Sequence, residues 1–299
     1  MPGPAMGAPP SHPMHPMHPL DPSHPLPLVR PDWPDAPAGV GAAATTRRGG
    51  VSGAPYDDGR GGGGLNLGPH VADDPADVAR NRAMLAARLP AAPVWISQVH
   101  GVAVVDAALV APGAAPEADA SIASVPGVVC AVMTADCLPV LLADVDGKVV
   151  GAAHAGWRGL AAGVLGASVA AMRAAGAGEI TAWLGPAIGP RHFEVGAEVR
   201  EAFVAGALDA AEALALARAF RPYAGREGKR EVKREVKREV KREVKYLADM
   251  AALARCFLAR DGVLRVSGGD ACTVTDMAQF YSYRRDGVTG RQASLIWIK

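Results

Sequence analysis

The stretch PVLLADVDGKVVGAAHAGW, residues 139–157, decides the fold class. Two apolar runs flank Asp146-Gly147, a dipeptide that tolerates the positive φ angles a tight hairpin turn demands. The pattern predicts an antiparallel hairpin whose second strand ends near His154. Before it, GVVCAVMTADC (127–137) reads as a buried β-rich run; after it, LAAGVLGASVAAMRAAG (160–176) reads as an Ala-rich helix. EITAWLGPAIG (179–189) predicts a strand entering a Gly/Pro loop, and PVWISQVHG (93–101) and VAVVDAALV (102–110) predict two more strands. In DDPADVARNRAMLAARL (73–89), Asp73 or Asp74 caps a helix, Pro75 sits in its first turn, and Val78, Met84, Leu85 and Leu89 form its apolar face. Residues 197–219 and 246–260 read as helical, and 263–275 and 293–299 as strands. Helices interleaved with hairpins predict an α+β chain: a single-domain layered mixed α/β sandwich with mixed β-sheets, rather than a doubly wound parallel sheet. Neither a dinucleotide glycine fingerprint nor a phosphate-binding P-loop is present.

The bulk numbers narrow the function. The chain has 299 residues, is 49% hydrophobic and carries a formal charge of only +1, so nothing global points to nucleic acid or an anionic membrane surface. No apolar run reaches the ~18 residues of a spanning helix, and no basic-then-apolar leader opens the chain. Cys130, Cys137, Cys256 and Cys272 are scattered, which fits a reduced, cytoplasmic protein.

Three segments differ in texture from the rest. Residues 1–38 are dense in proline and histidine and read as a disordered tail, its first 25 residues most clearly, with His15 and His18 open to adventitious metal. Residues 59–64, GRGGGG, read as a flexible loop tip. Residues 229–244 are four copies of KREV, which contribute +4 and mask a remainder of −3. Their valines stay within one helical stripe, so the repeat reads as a solvated helical extension or loop. The catalytic domain is therefore expected over 39–299, with inserts at 59–64 and 229–244.

His100, Cys137 and His154 each close a predicted strand, where a rigid sheet presents reactive groups to a loop. Gly101 and Gly156 beside the histidines leave room for close approach. One thiolate and two imidazoles suit Zn2+, admit Cu2+, and leave a fourth position open, as in catalytic rather than structural sites. A histidine at a strand end is more commonly a hydrogen-bonded structural residue, and a lone cysteine more commonly a small buried hydrophobe. A rival chemistry makes Cys137 a nucleophile with either histidine as base. Asp136, beside it, suits an orienting or acid/base role.

These residues lie in longer motifs: TRRGGVS (46–52), LNLGPHVADDP (65–75), NR (81–82), QVHG (98–101), AVMTADCLPV (131–140), AAHAGWRGL (152–160), GGDACT (268–273) and FYSYRRDGVTGRQASLIW (280–297). Together they resemble the YfiH-type family, also described as laccase-domain or multicopper polyphenol oxidoreductase proteins, zinc-type purine nucleoside phosphorylases and peptidoglycan editing factors. The resemblance covers about residues 39–299. It implies a zinc site at His100, Cys137 and His154, a layered mixed α/β sandwich, and phosphorolysis of adenosine, inosine, guanosine and methylthioadenosine with adenosine deamination. The alternatives it carries are hydrolytic editing of a wrongly added amino acid in peptidoglycan precursors, and copper-dependent polyphenol oxidation.

Deamination needs a metal-activated water and a proton carrier, for which Asp136 is the candidate. Phosphorolysis needs a cationic cradle, for which Arg47 and Arg48 beside Gly49-Gly50, Arg158 and Arg284 or Arg285 are candidates. Asn66 is a candidate for base or ribose, and Trp157 and Tyr281 for stacking on a purine. Multicopper oxidation fits least, because outside the tail only His70, His100, His154 and His192 are available. The expected partner is a small-molecule substrate, a purine nucleoside with phosphate, and neither nucleic acid nor membrane.

Overall fold

A computed structural model describes residues 26–223 and 244–299. In chain order, the strands and helices of its first half are β1 (Leu28–Val29), β2 (Val40–Thr45), β3 (Arg48–Ser52), α1 (Pro75–Ala86), β4 (Val104–Asp106), β5 (Ala120–Ala123), β6 (Val129–Thr134), β7 (Leu138–Asp144) and β8 (Val150–Ala155). Then come α2 (Trp157–Ala162), α3 (Val164–Ala174), β9 (Ile180–Leu184), β10 (Glu194–Gly196), α4 (Ala197–Ala205), α5 (Ala210–Arg218), β11 (Phe220–Tyr223), β12 (Lys245–Ala248), α6 (Met250–Arg260), β13 (Arg265–Gly268), α7 (Tyr283–Asp286) and β14 (Gln292–Ile298).

The hairpin at 139–157 sits at the centre of a six-stranded sheet of order β13-β9-β7-β8-β5-β4. Its inner pairings are antiparallel and its two outermost pairings, β13 with β9 and β4 with β5, are parallel. An antiparallel sheet of order β1-β2-β14-β6 packs on one face of it, and a small β10-β12-β11 sheet stands apart.

Side-chain alternation explains why the central strands read as unbroken apolar runs. Along β7, Leu138, Val140 and Leu142 face α2, α3 and α6, whereas Leu141 and Ala143 face the second sheet. Along β6, Cys130 and Val132 fill that space between the sheets, and Val129, Ala131 and Met133 point outward to meet Leu85 of α1. Both faces of both sheets are therefore covered, giving four layers and the α+β architecture expected.

Several boundaries are corrected. The tail expected over 1–38 does not take in residues 26–38: β1 pairs with β2, Leu26 and Trp33 are buried, and Trp33 Nε1 donates to Thr181 Oγ1 at 2.9 Å. Proline density there is compatible with order because only Leu28 and Val29 need ladder bonds. Trp33→Ala is expected to cost about 3–5 kcal/mol in a urea unfolding titration, through the cavity it opens in the inter-sheet core; a change below 1 kcal/mol would contradict its place in the core. The helix expected over 160–176 is broken at Gly163, whose φ of +99° ends α2 and starts α3. Residues 206–209 interrupt 197–219, and 245–248 form β12 before Asp249 caps α6. The GRGGGG segment is tied down rather than free, since Asp58 accepts from the amides of Arg60 and Gly62, and Gly64 bridges to β3. The KREV repeats and the first 25 residues lie outside the described residues, apart from Val244.

Candidate metal centre

His100, Cys137 and His154 come from three separate segments and meet at one point: the three ligand atoms lie within 4.8 Å of one another. Among the described residues this is the single group of three or more metal-type ligands. His154 is in β8 and buried; Cys137 is in the tight connection from β6 to β7; Cys137 Sγ lies 3.7 Å from His100 Nε2. The two imidazole rings stand edge to face with centroids 4.8 Å apart.

His100 is not at a strand end as expected. Residues 93–101 make only isolated bridges, at Val94 and Ser97, because Asp119 draws the following amides out of any ladder. The fully buried Asp119 carboxylate accepts from the backbone N–H of Val99 (3.1 Å), His100 (2.9 Å) and Gly101 (2.6 Å), and His100 takes a φ of +62°. Its Oδ1 also lies 2.8 Å from His154 Nδ1. One carboxylate thus shapes the His100 loop and leaves His154 Nε2 to face the other ligands. Sequence reading missed Asp119; its only signal is an acid directly before a buried strand.

The donor set fits a metal. Burial alone would raise the Cys137 thiol, yet hydrogen bonds from His100 and His154 outweigh it and bring its pKa down to about 6. Burial opposes a charged His154, but Asp119 and Cys137 together raise its pKa to about 9. A thiolate is thus available near neutral pH, as a metal ligand requires. Gly156 is needed for space: a Cβ there would stand 2.6 Å from His100 Cδ2 and 3.3 Å from Cys137 Sγ. The same geometry admits Cys137 as a nucleophile, but a second imidazole on the sulfur is what a ligand set calls for.

The three residues line a cavity of about 690 Å³. Its other walls include Trp95, Ile96, Met133, Ala135 and Tyr283, and the cations Arg82 and Arg291. Among the described residues, no Asp or Glu lines it.

The remaining expected site residues stand elsewhere. Asp136, with a φ of +97°, has one carboxylate oxygen on Thr273 Oγ1 (2.6 Å) and the other on Arg284 N (2.6 Å); it holds the Cys137 turn and does not line the cavity. Arg47 is buried, donating to Asp57 O and Met277 O over the Tyr281 ring. Arg48 lies in β3, Arg158 lies over Trp157, and Arg284 donates to Glu194 O beside Phe193; none lines the cavity. Buried Asn66 is saturated by Gly68, Asp73 and Arg291, and Tyr281 is fully buried. These motifs serve packing because long side chains close to the site satisfy loop carbonyls that no ladder covers.

The fold and the cluster define a layered α/β protein with a cavity lined by a His-Cys-His group that could hold a metal ion. Residues 41–299 match the family model described as multi-copper polyphenol oxidoreductase laccase, and the chain belongs to that family. It is 50% identical over 271 residues to a purine nucleoside phosphorylase of Pseudomonas aeruginosa, covering 91% of this chain and 98% of the relative. It is 49% identical to the purine nucleoside phosphorylase YfiH of Escherichia coli, with the same coverage. Among solved structures, a Neisseria meningitidis protein superposes with a TM-score of 0.75 at 45% identity, covering 91% of this chain and 99% of that one. YlmD of Geobacillus stearothermophilus gives 0.71 at 30% identity, covering 91% and 96%. No helix among the described residues is long and apolar enough to cross a membrane.

Proposed function

We propose that the chain is a zinc-dependent purine nucleoside phosphorylase. The observation that carries this reading is the juxtaposition of a His2Cys set with arginines in a cavity that no carboxylate of the described residues lines. The relatives named as purine nucleoside phosphorylases support it. In phosphorolysis the nucleoside C1′–N9 bond breaks, a phosphate oxygen bonds to C1′, and a proton ends on the departing base. A bound Zn2+ would supply Lewis acidity to a ligand oxygen or nitrogen. His100, Cys137 and His154 would hold it, with Asp119 fixing the His154 tautomer. Trp95 and Tyr283 line the cavity, whereas Trp157 and Tyr281 do not, and they are the candidates to stack on a purine, Trp95 on the face that Arg82 leaves open.

The same site suits deamination of adenosine less well, because Asp136 has both oxygens engaged away from the cavity. Copper in place of zinc gives a polyphenol oxidase reading, but four described histidines outside the tail do not build a multicopper array. The test is incubation of the zinc-loaded protein with adenosine, with and without phosphate. Adenine and ribose 1-phosphate formed only with phosphate are expected. Inosine without phosphate would mean a deaminase. Neither product at full metal content would overturn the nucleoside reading in favour of hydrolytic editing of a peptidoglycan precursor.

A further inference from the structure

Arg82 and Arg291 are half-buried cations with no carboxylate partner among the described residues. Arg82 comes from α1, where its Nε donates to Leu67 O (2.9 Å), Nη2 approaches Met133 Sδ (3.7 Å), and the guanidinium lies 4.4 Å from the Trp95 ring centroid. Arg291 directly precedes β14, and its Nη1 donates to Thr289 O and Gly290 O. Each guanidinium is therefore held in place with N–H groups to spare. Burial lowers the pKa of both. The charges of Cys137 and Asp136 offset part of this for Arg291 and the Trp95 ring part of it for Arg82, and an anion in the cavity would offset more.

Both arginines converge on the end of β6. Met133 carries the Arg82 contact, and Thr134 pairs in register with Gln292, next to Arg291. Thr134 is 2% exposed, lines the cavity, and its Oγ1 has no hydrogen-bond partner. A buried hydroxyl without a partner, on a residue that lines a cavity, marks a place where a polar ligand can complete the bonding. His70 lines the same wall, and partial burial with the charges of Arg291 and Arg82 holds its pKa low, so it stands neutral and keeps an N–H to donate.

We propose that Arg82, Arg291, His70 and the Thr134 hydroxyl form an oxyanion site that binds inorganic phosphate beside the metal ligands. Guanidinium forks match the geometry of phosphate oxygens, and no carboxylate of the described residues lines the cavity to compete. The identity of the anion rests on the phosphorolysis reading; the presence of an anion site does not.

The test uses zinc-loaded full-length protein, with inorganic phosphate as probe. Arg82→Gln and Arg291→Gln are each expected to raise KM for phosphate by about 10- to 100-fold, the loss of a charge-assisted hydrogen-bonding group. KM for adenosine and zinc content are expected to hold. Arg291→Lys is expected to recover part of the loss, and Thr134→Val to raise KM for phosphate about 5- to 10-fold. Direct calorimetric titration with phosphate should weaken in parallel, and Arg291→Lys and Thr134→Val keep the site testable if a glutamine variant fails to fold. Intact phosphorolysis with unchanged phosphate KM in Arg82→Gln, Arg291→Gln and Thr134→Val would overturn the site and leave the function standing. Phosphate binding that the same changes abolish, in a protein that cleaves no nucleoside, would uphold the site and overturn the function.

Discussion

Cys137→Ser is expected to fold normally, to bind zinc more than about 100-fold more weakly than the native chain, and to lose nucleoside turnover in proportion. Loss of a group that merely supports a ligand costs metal sites 10–100-fold in general, so loss of the anionic ligand itself must exceed it. The serine hydroxyl does not ionise near neutral pH, whereas the Cys137 thiol is brought down to about 6 by its two imidazole neighbours. The fold should survive, because the turn that carries Cys137 is held by Asp136 through Thr273 and Arg284, not by the sulfur. Elemental analysis after dialysis against a weak chelator, run beside the adenosine assay, checks both halves. Full metal with lost turnover would make Cys137 a nucleophile instead. Full metal with full turnover would remove it from the site.

Asp119→Ala is expected to be the most damaging single change to the site that removes none of its three ligands. It leaves three backbone amides and a buried imidazole without their shared acceptor. Breaking a buried charged network of this kind costs about 3–5 kcal/mol. Zinc affinity should also fall about 10- to 100-fold, because His154 loses the bond that fixes its tautomer and His100 loses its loop geometry. Urea unfolding of metal-free protein and competition with a zinc chelator measure the two effects.

The pH dependence of metal-free protein provides a separate check. Burial would raise the Asp119 carboxyl, but its bonds to His154 and to the loop amides hold it below its ordinary value. Its stabilisation is therefore present above the unfolded value of about 3.9 and disappears as pH falls through the lower folded value. His154 is raised to about 9, so its stabilisation is full below the unfolded value of about 6.5 and is lost as pH climbs through 9. The urea midpoint gap between native chain and Asp119→Asn should be widest between about pH 4 and 6.5 and narrow on either side. A gap independent of pH would show that the carboxylate acts by packing alone.

What the amino-acid order determined by itself was local and periodic. Asp146-Gly147 between two apolar runs dictates the β7–β8 hairpin, Asp74 and Pro75 dictate the start of α1, and the doubly apolar β6, β7 and β14 dictate two sheets, each buried on both faces. The grouping of His100, Cys137 and His154 was also legible, through motifs whose residue types have few other uses together. Tertiary structure alone decided which charges face the cavity and which satisfy loop carbonyls. Arg47 and Arg284 stand in motifs as conspicuous as those of Arg82 and Arg291, and all four donate to backbone oxygens, yet only the second pair also lines the cavity. Asp119 likewise becomes the centre of the site only when residues 99–101 fold over it. The reason is physical: a side chain's period along the chain sets which face it takes, but its partner is whatever distant segment packing brings within about 3 Å, and no local pattern encodes that.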